Sequence, residues 1–208
     1  MKTQTPAYWK RATRELGAAD PVMGALIVQY KGLTMASRGD AFQTLARSII
    51  GQQISVKAAQ SVWERFAVAV GDVRPQQVLK LSETQLRGCG LSGQKVKYLR
   101  DLSERFAGGV IDVTRWHKMD DETLIEDLTQ VKGIGRWTAE MFLMFYLTRP
   151  DVFPLGDLGL QRAMSLHYNK GRPLPDRRIA ALGKLWSPWR SVATWYLWRS
   201  LDPIPVEY

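Results

Sequence analysis

The sequence predicts an all-α protein, and three observations carry that expectation. Apolar residues recur at helical spacing along most of the chain. No stretch alternates apolar and polar residues as a half-buried strand would. The breaks fall at glycines, prolines and residues that cap helices. Apolar residues make up 45% of the 208, enough to bury a sizeable core in one globular unit or two small lobes.

In "DAFQTLARSIIGQQIS", Phe42, Leu45, Ala46, Ile49 and Ile50 follow the i, i+3, i+4, i+7, i+8 rule and predict a helix that Gly51 interrupts. Val62, Phe66 and Val70 continue that spacing in a second helix. Ser82 with Gln85 has the spacing of a capping box and opens a short third one. "GCGLSG" is a turn, after which Ser92 caps a helix carrying Val96, Leu99, Leu102 and Phe106. Gly108 and Gly109 end it. Asp120 or Asp121 starts the next helix, with Leu124, Leu128 and Val131 on its inner face. A helix over about 136–147 is apolar almost all round, so it is expected to be central and buried. Pro150 and Pro154 make "TRPDVFPLGD" a connection. Helices are expected over about 158–168, 177–186 and 188–200, with "NKGRPLP" as a loop. No low-complexity linker divides the chain.

Twenty-nine Lys and Arg oppose twenty Asp and Glu, a net charge of +9. A polyanion such as nucleic acid is the simplest partner for that excess, with solubility alone as the alternative. Cys89 is the only cysteine, which excludes an intramolecular disulfide and a four-cysteine iron–sulfur cluster. His117 and His167 show no zinc-ligand spacing with the carboxylates. The start, "MKTQTPAYWKRATREL", has no apolar signal region, and the longest apolar run, 141–147, is far too short to cross a bilayer. The expectation is a soluble cytoplasmic protein without membrane contact.

Residues 128–147 read as helix, short hairpin, helix. Gly133 and Gly135 permit positive φ and a close backbone approach. The turn then aims N–H groups outward at the start of a helix, an arrangement that binds phosphate oxygens. Lys132, Arg136 and Thr138 add charge or a hydroxyl. Such contacts hold a nucleic-acid backbone without reading sequence. A tight helix connection with no ligand remains the alternative.

"VKGIGRWTA" followed at this separation by "FPLGD" resembles the helix-hairpin-helix DNA glycosylases with a Gly/Pro-rich loop and a following aspartate, the HhH-GPD superfamily. "SIIGQQISVKAA" and "WSPWRSVATWYLW" are similar to its alkylation-repair branch, the bacterial 3-methyladenine DNA glycosylase II family. The likeness covers about residues 40–200. Longer members of the family carry an additional N-terminal β-rich domain, for which this chain is too short. The resemblance implies an all-α fold of two lobes with a cleft. One lobe, 1–42 plus 151–208, is made from both chain ends. The other, 43–150, contains the helix-hairpin-helix at about 124–147.

The resemblance also implies site residues. Asp157 is the catalytic carboxylate at the cleft mouth; read from its own surroundings it is also an N-cap of the helix that follows. In relatives that cleave the strand, the position of Trp137 is a nucleophilic lysine, so an indole there implies hydrolysis without strand cleavage. Trp137 and Trp198 match aromatic residues of the base pocket, with Met141 and Leu158 at two further pocket positions. Core packing is the alternative for Trp198. "GQQIS" matches the loop that fills the gap left by a flipped base, with Gln53 as wedge and Gln52 beside it; a plain helix junction is the alternative. No cofactor is expected, although carbonyls of Thr129, Val131 and Ile134 match those that hold a monovalent cation in relatives.

The implied activity is a monofunctional glycosylase acting as a monomer on double-stranded DNA. It would flip out alkylated purines such as 3-methyladenine, 7-methylguanine, ethenoadenine or hypoxanthine and leave an abasic site. A glycosylase for uracil, mismatched or oxidised bases and a non-catalytic DNA-binding protein remain as alternatives.

Overall fold

A computed structural model describes residues 5–37 and 40–201. Residues 1–4, 38–39 and 202–208, all within the lobe expected from the chain ends, lie outside the described residues. In chain order the helices are α1 (Trp9–Ala19), α2 (Pro21–Gln29), α3 (Ala41–Gly51), α4 (Val56–Val70), α5 (Pro75–Lys80), α6 (Glu83–Gly88) and α7 (Gly93–Ala107). A 3-10 turn (Val113–Lys118) follows. Then come α8 (Asp121–Thr129), α9 (Arg136–Phe145), α10 (Leu158–Asn169), α11 (Asp176–Trp186) and α12 (Arg190–Leu201). Among the described residues there is no strand element.

The expected caps are present. Ser82 and Gln85 exchange both bonds of a capping box. Ser92 accepts from the Lys95 N–H, and Asp120 from that of Thr123. The short α5, the 3-10 turn and the two N-terminal helices were not expected one by one. Helix α9 stops at Phe145, short of 147, because the backbone turns left-handed at Thr148 (φ +51°) and Arg149 N–H reaches back to Leu143 O at 2.9 Å.

The described residues form two compact units, 40–142 and 5–37 with 143–201. The divisions fall before α3 and inside α9, rather than at 42/43 and 150/151. Ring contacts give the physical reason. Phe42 packs edge-on against Phe106 of α7 and Phe142 against Trp116, all in the central unit. Phe145, one turn later in α9, stacks on Trp198 of α12 instead.

In the central unit α3 packs on α4 and α7, and α5 on α7. Phe42, Leu45, Ile49 and Ile50 of α3 are buried, as their spacing requires, with Phe66, Leu99 and Leu102. Each such side chain contributes roughly 1.5–3 kcal/mol by leaving water. In the other unit α1, α2, α10, α11 and α12 surround a tryptophan-rich core that includes Trp9, Trp186 and Trp195. Asp20 lies inside it at 4% exposure. Its carboxylate accepts from the Val22 and Met23 N–H groups, Tyr168 O–H and Trp186 Nε1–H at 2.8–3.3 Å. Four donors offset the cost of burying that charge.

Candidate functional site

The hairpin joins α8 to α9. Gly133 has φ +84°, and a Cβ there would lie 2.1 Å from Cδ2 of Tyr98. Glycine is therefore required twice over, by conformation and by the ring packed against it. Gly135 differs from expectation: its φ is not left-handed, and only open space faces its α-carbon. What it permits is close approach from outside. Within the turn, Lys132 N–H donates to Asp101 Oδ2 at 2.9 Å and Ile134 N–H to Val131 O at 3.0 Å. The first turn of α9 adds N–H groups that have no intrahelical acceptor.

The basic side chains here face carboxylates of the same unit. Arg136 forms a two-pronged pair with Glu122, Nη1 to Oε2 at 2.9 Å and Nη2 to Oε1 at 2.5 Å. Its Nε donates to Glu140 Oε1 at 3.1 Å. Lys132 Nζ lies 3.7 Å from Asp101 Oδ1, and Arg105 Nε donates to the same carboxylate at 2.9 Å. The Arg136 guanidinium holds the Glu122 carboxyl below the usual range, and Glu122 in turn pushes the Arg136 pKa up. Burial opposes ionisation of Asp101, but the Lys132 N–H and Arg105 together hold its carboxyl below the usual range.

Next to the hairpin sits the end of α3. Gln52 Nε2 donates to Gly133 O at 2.8 Å, so this glutamine is tied to the glycine turn. Gln53 is exposed and left-handed at φ +59°, a conformation that costs a non-glycine residue roughly 1–3 kcal/mol. Lys95 of α7 donates from Nζ to Ile50 O at 2.7 Å, and burial pushes its ammonium pKa down. Thr138 and Met141 are interior residues of α9, at 6% and 3% exposure, whereas Trp137 on its first turn is 38% exposed.

In the other unit, loop 149–157 leads into α10 and is fastened at several points. Ser191 Oγ donates to Arg149 O at 2.6 Å and accepts from Val152 N–H at 2.9 Å, while Ser191 N–H donates to Pro150 O at 3.0 Å. Arg190 makes a two-pronged pair with Asp151, at 2.7 and 2.9 Å. Phe153 lies edge-on to Trp186 and fills the space that Gly183 leaves, where a Cβ would come within 2.8 Å of its ring. Gln161 Nε2 holds Leu155 O at 2.7 Å.

Asp157 ends this loop. Its N–H donates to Pro154 O at 2.9 Å, and its Oδ1 caps α10 by accepting from Leu160 N–H at 2.6 Å. Trp198 Nε1–H donates to the same oxygen at 2.7 Å. Both donors are neutral. Neither of them cancels the charge of the carboxylate it orients. The capping role is compatible with a chemical role at the same residue. Leu158, directly after it, is 78% exposed.

The structure thus brings together Gln52 with the hairpin, and Asp157 with Trp198. It places Arg136 and Lys132 against acids that their spacing did not announce. Tyr98, Asp101, Glu122 and Ser191 position these features and escaped the sequence reading. Only "WSPWRS", already singled out, hinted at Arg190 and Ser191. Among the described residues no cluster of His, Cys, Asp and Glu has the arrangement of a metal site, and no helix is long and apolar enough to cross a membrane.

The family model described as an HhH-GPD superfamily base excision DNA repair protein matches residues 46–188. A Bacillus subtilis protein named DNA-3-methyladenine glycosylase is 30% identical over 95% of this chain and 67% of its own length. The chain spans about two thirds of the length of the Bacillus subtilis relatives it matches. A crystal structure of a DNA-3-methyladenine glycosidase from Bacillus halodurans superimposes with a TM-score of 0.85. It is 34% identical, with 97% of this chain and 93% of that one covered. A Schizosaccharomyces pombe 3-methyladenine DNA glycosylase in complex with abasic DNA gives 0.78 at 27% identity, covering 95% and 98%.

Proposed function

This chain belongs to the HhH-GPD superfamily of base excision DNA repair proteins, and on that premise we propose that it is a monofunctional DNA glycosylase that releases alkylated purines from double-stranded DNA. The observation that carries the reading is the Asp157 carboxylate, held at the head of α10 by two neutral N–H donors. The bacterial and yeast relatives named for 3-methyladenine support the substrate class.

The reaction breaks the bond between deoxyribose C1′ and the purine N9. Its electrons go to the base, so a purine made cationic by methylation at N3 or N7 leaves neutral. Positive charge develops on the sugar, and a fixed anion stabilises that transition state. Asp157 supplies the anion and accepts a proton from the water that adds to C1′, leaving an abasic site. Trp137 stands where a lysine would be needed for attack by an amine, so the strand stays intact. An exposed indole face also suits a cationic base, by about 0.5–2 kcal/mol. The hairpin N–H groups clasp the phosphodiester backbone, and Gln53 fills the gap left by the extruded nucleotide.

The carbonyls of Thr129, Val131 and Ile134 are hard oxygen donors of the kind that would hold a monovalent cation. Val131 O already accepts from Ile134 N–H and keeps a second lone pair. A bound cation would add positive charge where a phosphate sits.

The test is incubation with duplexes carrying 7-methylguanine, 3-methyladenine, ethenoadenine, hypoxanthine or uracil, with identification of the free base. Release of methylated purines, with strand breaks only after heat or alkali, is the expected result. Breaks without that treatment contradict the monofunctional assignment, and release of uracil alone contradicts the substrate class.

A further inference from the structure

Trp198 is read from sequence as a face on which the flipped base stacks. Its surroundings point elsewhere. The indole of Trp198 stacks on Phe145, ring centroids 6.0 Å apart and planes 19° from parallel, so one face is already covered. Its single polar atom, Nε1–H, is spent on Asp157 Oδ1 at 2.7 Å. The same oxygen takes the capping bond from Leu160 N–H at 2.6 Å. Gly159 lies between these groups. A Cβ built there would stand 3.0 Å from Asp157 Oδ1, 3.3 Å from Trp198 Cδ1 and 3.4 Å from Trp198 Nε1. Its φ is not left-handed, so the backbone does not demand glycine at this position. The demand comes from the space occupied by the bond between carboxylate and indole.

We propose that Trp198 is a positioning residue for Asp157 and that Gly159 is the gap through which the indole reaches the carboxylate. This rests on the glycosylase reading given above. The physical logic is that of preorganisation. A carboxylate that must face charge developing at C1′ gains most from donors already in place before the reaction begins. Leu160 N–H and Trp198 Nε1–H approach Oδ1 from α10 and α12, so the side chain is fixed from two elements rather than one. An indole N–H does this without introducing a positive charge that would compete with the sugar for the anion.

The test replaces Trp198 by its benzothiophene isostere, which keeps shape and stacking and lacks the N–H. Single-turnover release is measured on DNA carrying 7-methylguanine, a cationic base, and on DNA carrying hypoxanthine, a neutral one. Affinity is measured on abasic duplex. The expected result is a loss of about tenfold to hundredfold in rate on both substrates, the range for a hydrogen bond to a charged group, with affinity unchanged. An unchanged rate overturns the proposal, because a stacking face survives in the isostere; a loss on 7-methylguanine with hypoxanthine release untouched overturns it too, because a carboxylate out of place slows both.

Gly159→Ala provides the second arm. A shift of a few tenths of an ångström is expected to slow release about threefold to tenfold. Combined with the isostere, it should add less than its separate effect, because both act through one bond. Full additivity overturns the role given to Gly159. If the unmodified protein releases no base from any lesion, the glycosylase reading itself falls. Wild-type activity alongside an inert isostere substitution removes this inference alone.

Discussion

The hairpin of the central unit and the loop before α10 in the other unit both rely on carboxylates, and use them in opposite ways. Around the hairpin, Asp101, Glu122 and Glu140 face Lys132, Arg105 and Arg136. The acids there are braces that consume positive charge. On the proposed reading, what the turn offers to a phosphate is backbone. At the loop, Asp157 Oδ1 receives two neutral N–H donors, which hold the side chain through dipoles. One region pairs its acids with exposed cations; the other fastens its peptide through Ser191 and holds a carboxylate with neutral donors. A count of lysines and arginines therefore overstates how much uncompensated positive charge surrounds the hairpin.

The contrast can be broken most severely at Gly133. Gly133→Ala meets both a left-handed backbone and the Tyr98 ring, and should lower stability by about 2 kcal/mol or more. Denaturant unfolding measures this. A neutral substitution would show that the ring moves away freely and that the turn is not held as described.

Ser191→Ala should strike the other region alone. It leaves the buried Val152 N–H without its acceptor, at a cost of about 1–3 kcal/mol. Base release should fall while affinity for undamaged duplex stays within twofold. Loss of affinity in equal measure would mean that the loop, and not only the hairpin, carries the grip.

Arg136→Ala sharpens the contrast. A brace is expected to cost about 0.2–1 kcal/mol of stability, as exposed ion pairs do, and to leave the slope of log affinity against log salt unchanged. A slope smaller by about one would identify Arg136 as a phosphate ligand instead.

The smallest effect is acid loosening of the brace. The Glu122 carboxyl is lowered in the folded protein, so its contribution is present above its unfolded pKa, near 4.3. That contribution is lost as pH falls through the lowered folded value. The stability difference between the wild type and Glu122→Gln should shrink between pH 6 and pH 3. A constant difference would mean that the pair contributes nothing through charge.

Much of the fold was legible because its cues are local. The buried face of α3 follows from spacing within eleven residues, and the capping pairs at Ser82, Ser92 and Asp120 act over three. Asp157 was legible for the same reason, being both a cap and the end of "FPLGD". What escaped was everything that depends on distant pairing. Tyr98 meets Gly133 from thirty-five positions earlier. Glu122 and Arg136 are fourteen apart, and Ser191 reaches Val152 over thirty-nine. Arg136 read alone is a free cation, and Trp198 read alone is an aromatic face. Only the fold reveals that each already has an engagement.

The most direct measurement is single-turnover release of 7-methylguanine by Asp157→Asn, alongside its affinity for duplex DNA. The account predicts a fall in rate of about a hundredfold to a thousandfold, with affinity retained or increased because a negative charge has gone from the DNA-facing surface. Release at the wild-type rate would contradict it.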